Sequence, residues 1–118
     1  MAENVVSELA AARCIACRPD APRLSGNELD SLRQQLPEWE IAEVDGIERL
    51  TRLFPRADFL AALDLANAVG RIAEEEDHHP EIVVEWGKLR VSWWTHTVSG
   101  LHRNDFIMAA KTDELASA

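Results

Sequence analysis

The chain has 118 residues, 47% hydrophobic and 28% charged, the size and balance of one domain able to bury a single core. Its 21 acidic against 12 basic residues give a formal charge of −9, which argues against nucleic acid and anionic membrane surfaces, both of which need a basic face. No apolar run approaches the roughly 18–20 residues of a membrane span, and the opening Met1-Ala-Glu-Asn has no basic residue, so no signal peptide and a soluble cytoplasmic domain are expected.

Residues 1–22 read as a flexible leader, Ala-rich and then broken by Arg18-Pro-Asp-Ala-Pro22, with one domain over 23–118. The leader holds both cysteines, Cys14 and Cys17. Cys-x-x-Cys spacing brings two thiols to one side of a turn, as redox and zinc sites require. With no second pair and no strand leading into it, the motif reads as two thiols on a mobile leader.

Ser25-Gly-Asn-Glu28 has capping-box spacing, Leu29, Leu32 and Leu36 follow at helical intervals, and Pro37 stops the helix. Trp39–Val44 and Ile47–Phe54 read as strands joined by the hairpin turn Asp45-Gly46. Pro55 opens a long helix whose stripe is Phe59, Leu63, Ala66, Val69 or Gly70, and Ala73, ending near Asp77. Ile82, Val84 and Trp86 alternate with Val83 and Glu85, Gly87-Lys88 turns the chain, and Leu89–His96 forms the next strand. A last helix over Arg103–Glu114 buries Phe106, Ile107 and Ala110.

The order α-β-β-α-β-β-α with two hairpins predicts an α+β two-layer sandwich, a four-stranded antiparallel sheet with helices on one face. On the last strand Leu89, Val91, Trp93 and Thr95 share the helix-facing side. Arg90, Ser92, Trp94 and His96 share the other, which suits a binding surface or subunit contact.

The densest chemistry is Glu74-Glu-Glu-Asp77-His78-His79-Pro80 at the junction of helix and strand. Glu74 lies one helical turn before His78, on the same side. Hairpin geometry brings His96 toward the segment after His79-Pro80, so three imidazoles and a carboxylate are expected in one pocket. Imidazoles supply acid and base near neutrality, and three of them with a carboxylate also suit zinc or iron. The plainest alternative is that His78 and His79 only cap the helix, as Asp105 favours the first turn of the last helix. His102 reads as a residue flanking that helix. Trp39 reads either as a core aromatic or as a wall on which a planar heterocycle stacks. The Glu74–Asp77 run is by default a solvated helix end.

Glu74-x3-His78-His79-Pro80, then Trp86, His96 and Asp105, resembles the signature of the pterin-4a-carbinolamine dehydratases. The similarity runs from about residue 24 to 115, and Trp93-Trp94-Thr95-His96 with Gly100–Phe106 resembles the bacterial branch associated with phenylalanine hydroxylase. The resemblance implies dehydration of 4a-hydroxytetrahydrobiopterin, or a bacterial equivalent, to the quinonoid dihydropterin, with no metal or other cofactor. It implies that His78, His79 and His96 do the acid–base work. Either His96 or His78 is then the proton donor and the other the base, while His79 holds the hydroxyl. It gives Glu74, Asp77, Trp39 and Asp105 substrate-binding or supporting places, and implies a homodimer or homotetramer. Animal relatives also serve as dimerisation cofactors of a transcription factor, so a protein-binding module is one alternative and a three-histidine metal protein another.

Overall fold

The computed structural model describes residues 8–14 and 26–117. Ser25, Cys17 and the Arg18–Pro22 stretch lie outside the described residues.

Helix α1, Gly26–Gln35, buries Leu32, and Leu36 follows it into the core. Strands β1, Glu40–Val44, and β2, Ile47–Pro55, form the first hairpin, paired from Val44↔Ile47 to Glu40↔Thr51. Asp45 and Gly46 both have positive φ, 53° and 79°, the backbone that matches the twist of a two-residue hairpin loop. Strands β3, Glu81–Glu85, and β4, Lys88–Trp93, form the second hairpin around Trp86-Gly87. The turn is one residue earlier than expected because Lys88 is already paired with Glu85. All pairings are antiparallel and the sheet order is β1-β2-β4-β3, with β2 joined to β4 from Leu50↔Trp93 to Pro55↔Lys88.

Helix α2 runs over Phe59–Glu76. Its start differs from the expectation at Pro55, which instead ends β2 opposite Lys88. The helix is opened by Asp58, whose carboxylate accepts from Ala61 N at 2.8 Å, satisfying one of the donors a helix start leaves orphaned. Its buried stripe is Ala62, Leu65, Ala66, Val69 and Ala73. Phe59 and Leu63, expected inside, are exposed together with Leu60. Helix α3, Arg103–Ser117, outlasts its expected end at Glu114 and buries Phe106, Ile107 and Ala110 with Met108 and Ala109.

Helices α2 and α3 pack on one another and on the sheet, and α1 packs on α3. The helix-facing residues Leu50, Phe54, Leu89, Val91 and Trp93 complete one core, the two-layer α+β sandwich. On the opposite face Thr51 and Ser92 share a buried hydroxyl hydrogen bond of 2.9 Å, and the Arg49 guanidinium lies 4.0 Å above the Trp94 ring. Among the described residues no helix is long and apolar enough to cross a membrane.

Residues 8–14 depart from the expected flexible leader. They begin with a helical turn over 8–11, and Leu9 and Ala10 are part of the core. Two apolar side chains recovered from water explain why this segment packs on the domain.

Candidate active site

The site starts where α2 stops. Asp77 takes up the left-handed conformation, φ 51° and ψ 45°. The N–H of Asp77 donates to Glu74 O at 3.3 Å and that of His78 to Ala73 O at 3.1 Å, the paired bonds that satisfy the last carbonyls of a helix. The reversal sends the two neighbouring histidines in different directions. The His78 ring stacks on Trp93 at 5.9 Å and 11°, against the core, while His79 stays in solvent.

The second component is the loop between β4 and α3. β4 ends at Trp93, earlier than expected, and His96 lies not on a strand but in a 3₁₀ turn, His96–Val98. Thr95 and Gly100 bridge the base of this loop, Thr95 N donating to Gly100 O at 2.8 Å. The strand ends because this local bridge replaces the ladder. Thr95 is therefore buried while His96, next in the chain, is exposed. The His96 ring lies 4.8 Å from that of Trp94.

The third component is the start of α3. His102 Nδ1 accepts from Asn104 N at 3.0 Å, and Asp105 Oδ2 accepts from His102 N at 2.9 Å. This is the reciprocal logic of a capping box, with His and Asp in place of the usual Ser or Thr and Glu or Gln. Burial lowers the His102 pKa below its ordinary value, followed by opposing effects of Asp105, which raises it, and His78, which lowers it. The neutral ring this favours has the lone pair that the cap requires.

These components meet at Asp105, which is fully buried. Its Oδ1 lies 2.6 Å from His78 Nε2, and its Oδ2 also accepts from Thr95 Oγ1 at 2.9 Å. A buried carboxylate is tolerated when donors surround it, and three chain segments supply them here. Glu74 was expected beside His78 but pairs with His79, Nε2 to Oε1 at 2.6 Å, because the Asp77 reversal swings His78 off the helix face. Asp77 itself is exposed and shapes the backbone.

Trp39 is placed elsewhere. It is 5% exposed, meets Phe54 edge-on, and its Nε1 donates to both oxygens of Asp113 at 3.0 and 3.1 Å. Asp113 lies eight residues beyond Asp105, about 12 Å along the helix. The ring is a core aromatic with a paired N–H, and its remaining exposed edge borders a surface cleft with Asp30, Arg33, Gln34 and Pro37. Burial raises the Asp113 pKa, while Trp39 and Arg52 oppose the shift.

Thr95, Trp93 and the cap function of His102 were missed from sequence. Strand alternation places Thr95 only on the inner face. His102-x-x-Asp105 has capping-box spacing that a search for the usual cap residues passes over. Among the described residues no three His, Cys, Asp or Glu side chains are grouped as a metal shell requires.

A family model described as Pterin 4 alpha carbinolamine dehydratase matches residues 22–115. A Nitrosococcus oceani protein provisionally named pterin-4-alpha-carbinolamine dehydratase is 51% identical over 110 residues, 93% of this chain and 97% of that one. A Gloeobacter violaceus protein with the same provisional name is 53% identical over 105 residues, 89% of this chain and 90% of that one. Among solved structures, a transcriptional coactivator/pterin dehydratase from Brucella melitensis superposes with a TM-score of 0.72. It is 33% identical, over 80% of this chain and 99% of that one.

Proposed function

The chain belongs to the pterin 4 alpha carbinolamine dehydratase family, and from that premise we propose that it dehydrates a 4a-hydroxytetrahydropterin to the quinonoid dihydropterin by histidine acid–base catalysis. The reaction removes the N5 proton, forms the N5=C4a bond and breaks the C4a–O bond, and the departing hydroxyl takes a proton to leave as water. It moves protons and no net electrons, so it calls for positioned imidazoles rather than a redox cofactor.

The observation that carries this reading is the buried 2.6 Å pair of His78 and Asp105. An ionised carboxylate only accepts hydrogen bonds, so it holds His78 with Nε2 protonated and leaves Nδ1 as the basic nitrogen. In our reading His78 takes the N5 proton, exposed His96 delivers one to the hydroxyl, and His79, oriented by Glu74, holds that hydroxyl. Asp105 and Asp77 act through His78, and Trp39 supports the fold around α3 rather than the substrate.

The setting this reading implies is the cytoplasm, with a phenylalanine hydroxylase forming the 4a-hydroxypterin. Exposed Phe59, Leu60 and Leu63 on α2 support a homo-oligomer, dimer or tetramer.

The test is the ultraviolet decay of a synthetic 4a-hydroxytetrahydropterin in chelator-treated buffer, read as rate above the spontaneous background. Acceleration is expected, and His96→Ala should lower turnover at least about tenfold, given acid–base contributions of roughly 10²–10⁴. No acceleration by folded protein would overturn the reading. The Brucella protein's name favours a second one, a protein-binding regulatory role. A partner captured by the intact chain and lost on substitution of half-buried Trp94 would support it.

A further inference from the structure

The first described residues grip both elements that bring His78 and Asp105 together. Leu9 and Ala10 are 2% and 4% exposed, and Lys111 Nζ on α3 donates to Ala10 O at 2.6 Å. Farther along, Cys14 N donates to Glu76 Oε1 at 2.8 Å and Arg13 Nε holds Glu76 Oε2 at 2.8 Å. Both oxygens of this carboxylate are thus engaged by the same segment. Cys14 Sγ also lies 3.9 Å from Asn104 O.

Glu76 is the last residue of α2, two before His78, and Asn104 immediately precedes Asp105. The segment therefore ties the end of one helix to the start of the other, on either side of the 2.6 Å contact. The Arg13 side chain is 75% exposed, so its ion pair adds little by itself. The Glu76 side chain is only 6% exposed, and its bond to a backbone N–H fixes it in place. The family model begins at residue 22. The alignment to the Nitrosococcus protein, covering 110 of 118 residues, must nevertheless begin by residue 9 and take in this segment.

We propose that residues 8–14 are a strap that sets the spacing of the α2 and α3 ends, making Glu76 a positioning residue for the His78–Asp105 pair. The strap's effect on turnover rests on the dehydratase reading; its effect on the pair does not. Hydrogen bonds weaken steeply as they lengthen or bend, so a small displacement of either helix end loosens the imidazole.

The experiment uses the full chain as Leu9→Asp, which expels the strap from the core, Glu76→Ala, which cuts its far anchor, and Leu9→Met as the conservative control. Two readouts are taken: the ¹⁵N imidazole resonance of His78 Nε2, which reports its bond to Asp105 without substrate, and kcat and KM for the 4a-hydroxytetrahydropterin. Both disruptive variants are expected to shift the resonance and lower kcat about tenfold, within the ~10²-fold that an ångström of misplacement costs. KM should change less than about twofold, and Leu9→Met should behave as the parent. The double variant should be no worse than the poorer single one, since both cut the same link.

A folded Glu76→Ala with the parent resonance overturns the proposal, including the case where Leu9→Asp does not fold. A shifted resonance with parent kcat overturns the catalytic part alone. If the parent protein has no dehydratase activity, the dehydratase reading fails, and the resonance still decides whether the strap positions the pair.

Discussion

His78 and His79 are adjacent, and each Nε2 lies 2.6 Å from a carboxylate oxygen. The surroundings of the two contacts differ completely. The side chains of His78 and Asp105 are 10% and 0% exposed, while those of His79 and Glu74 are 53% and 79% exposed. Asp105 also holds Thr95 and the backbone of His102, whereas among the described residues the Glu74 carboxylate pairs with His79 alone. Equal distances therefore do not mean equal worth. In the exposed pair water competes for every donor and salt screens the charges, so the contact contributes under about 1 kcal/mol. In the buried pair, removing one partner strands the other groups away from water.

The sharpest break of this comparison is Asp105→Ala. It leaves His78, Thr95 and the His102 N–H without their acceptor, and should cost about 3–5 kcal/mol, the loss typical of a broken buried pair. Urea unfolding followed by circular dichroism reads this loss, and turnover should fall at least about 10²-fold. A loss below about 1 kcal/mol would place the buried pair on the same footing as the exposed one.

A pH series sharpens the same contrast. His102 lies at the edge of the buried network, and burial holds its pKa below the ordinary 6.5. Below pH 6.5 the unfolded chain takes up a proton that the folded one refuses, so stability falls as pH drops toward the lowered value. Protonation also removes the lone pair that caps α3. His102→Asn keeps a capping acceptor without a titrating ring. The variant should lose this part of the acid destabilisation in unfolding curves from pH 7.5 to 5. An unchanged slope would assign the acid sensitivity to other groups. Smaller again is Glu74→Gln, expected to change stability by under about 1 kcal/mol, with kcat kept within tenfold.

The difference between the two pairs also marks what was legible in the sequence. Periodicity located the four strands of the sheet and helices α1 to α3, because Leu89, Val91 and Trp93 alternate and the helices repeat at helical spacing; the turns at 8–11 and His96–Val98 gave no such signal. It missed the details where local backbone chemistry overrides periodicity. Pro55 looks like a helix opener, yet it ends a strand, and Asp58 caps the helix instead. Trp94-Thr95-His96 looks like continuing strand, yet the Thr95–Gly100 bridge ends it. The histidines stand out by type and spacing, whereas Asp105 enters only through the family resemblance, since by itself it reads as an acid suited to a helix start. Which carboxylate pairs with which imidazole was not legible, since that depends on a left-handed residue with no glycine to announce it. The strap was hidden for a related reason: Leu9 and Ala10, in an Ala-rich stretch, carry no periodic signal.

That left-handed residue gives the last and smallest effect. Asp77, at φ 51°, is the turn that sends His78 inward and His79 outward. An L-residue pays roughly 1–2 kcal/mol for this conformation, less for Asp, and glycine adopts it freely. Glycine also frees the unfolded chain, which takes back most of the gain. Asp77→Gly should therefore shift stability by no more than about 0.5 kcal/mol and keep turnover, whereas Asp77→Val, β-branched and strained at positive φ, should lower both. If Asp77→Gly folded as well as the parent but lost turnover, the Asp77 carboxylate would have to act in the chemistry itself. If it keeps turnover, the two histidines are separated by backbone geometry alone, and their unequal environments follow from one residue's φ.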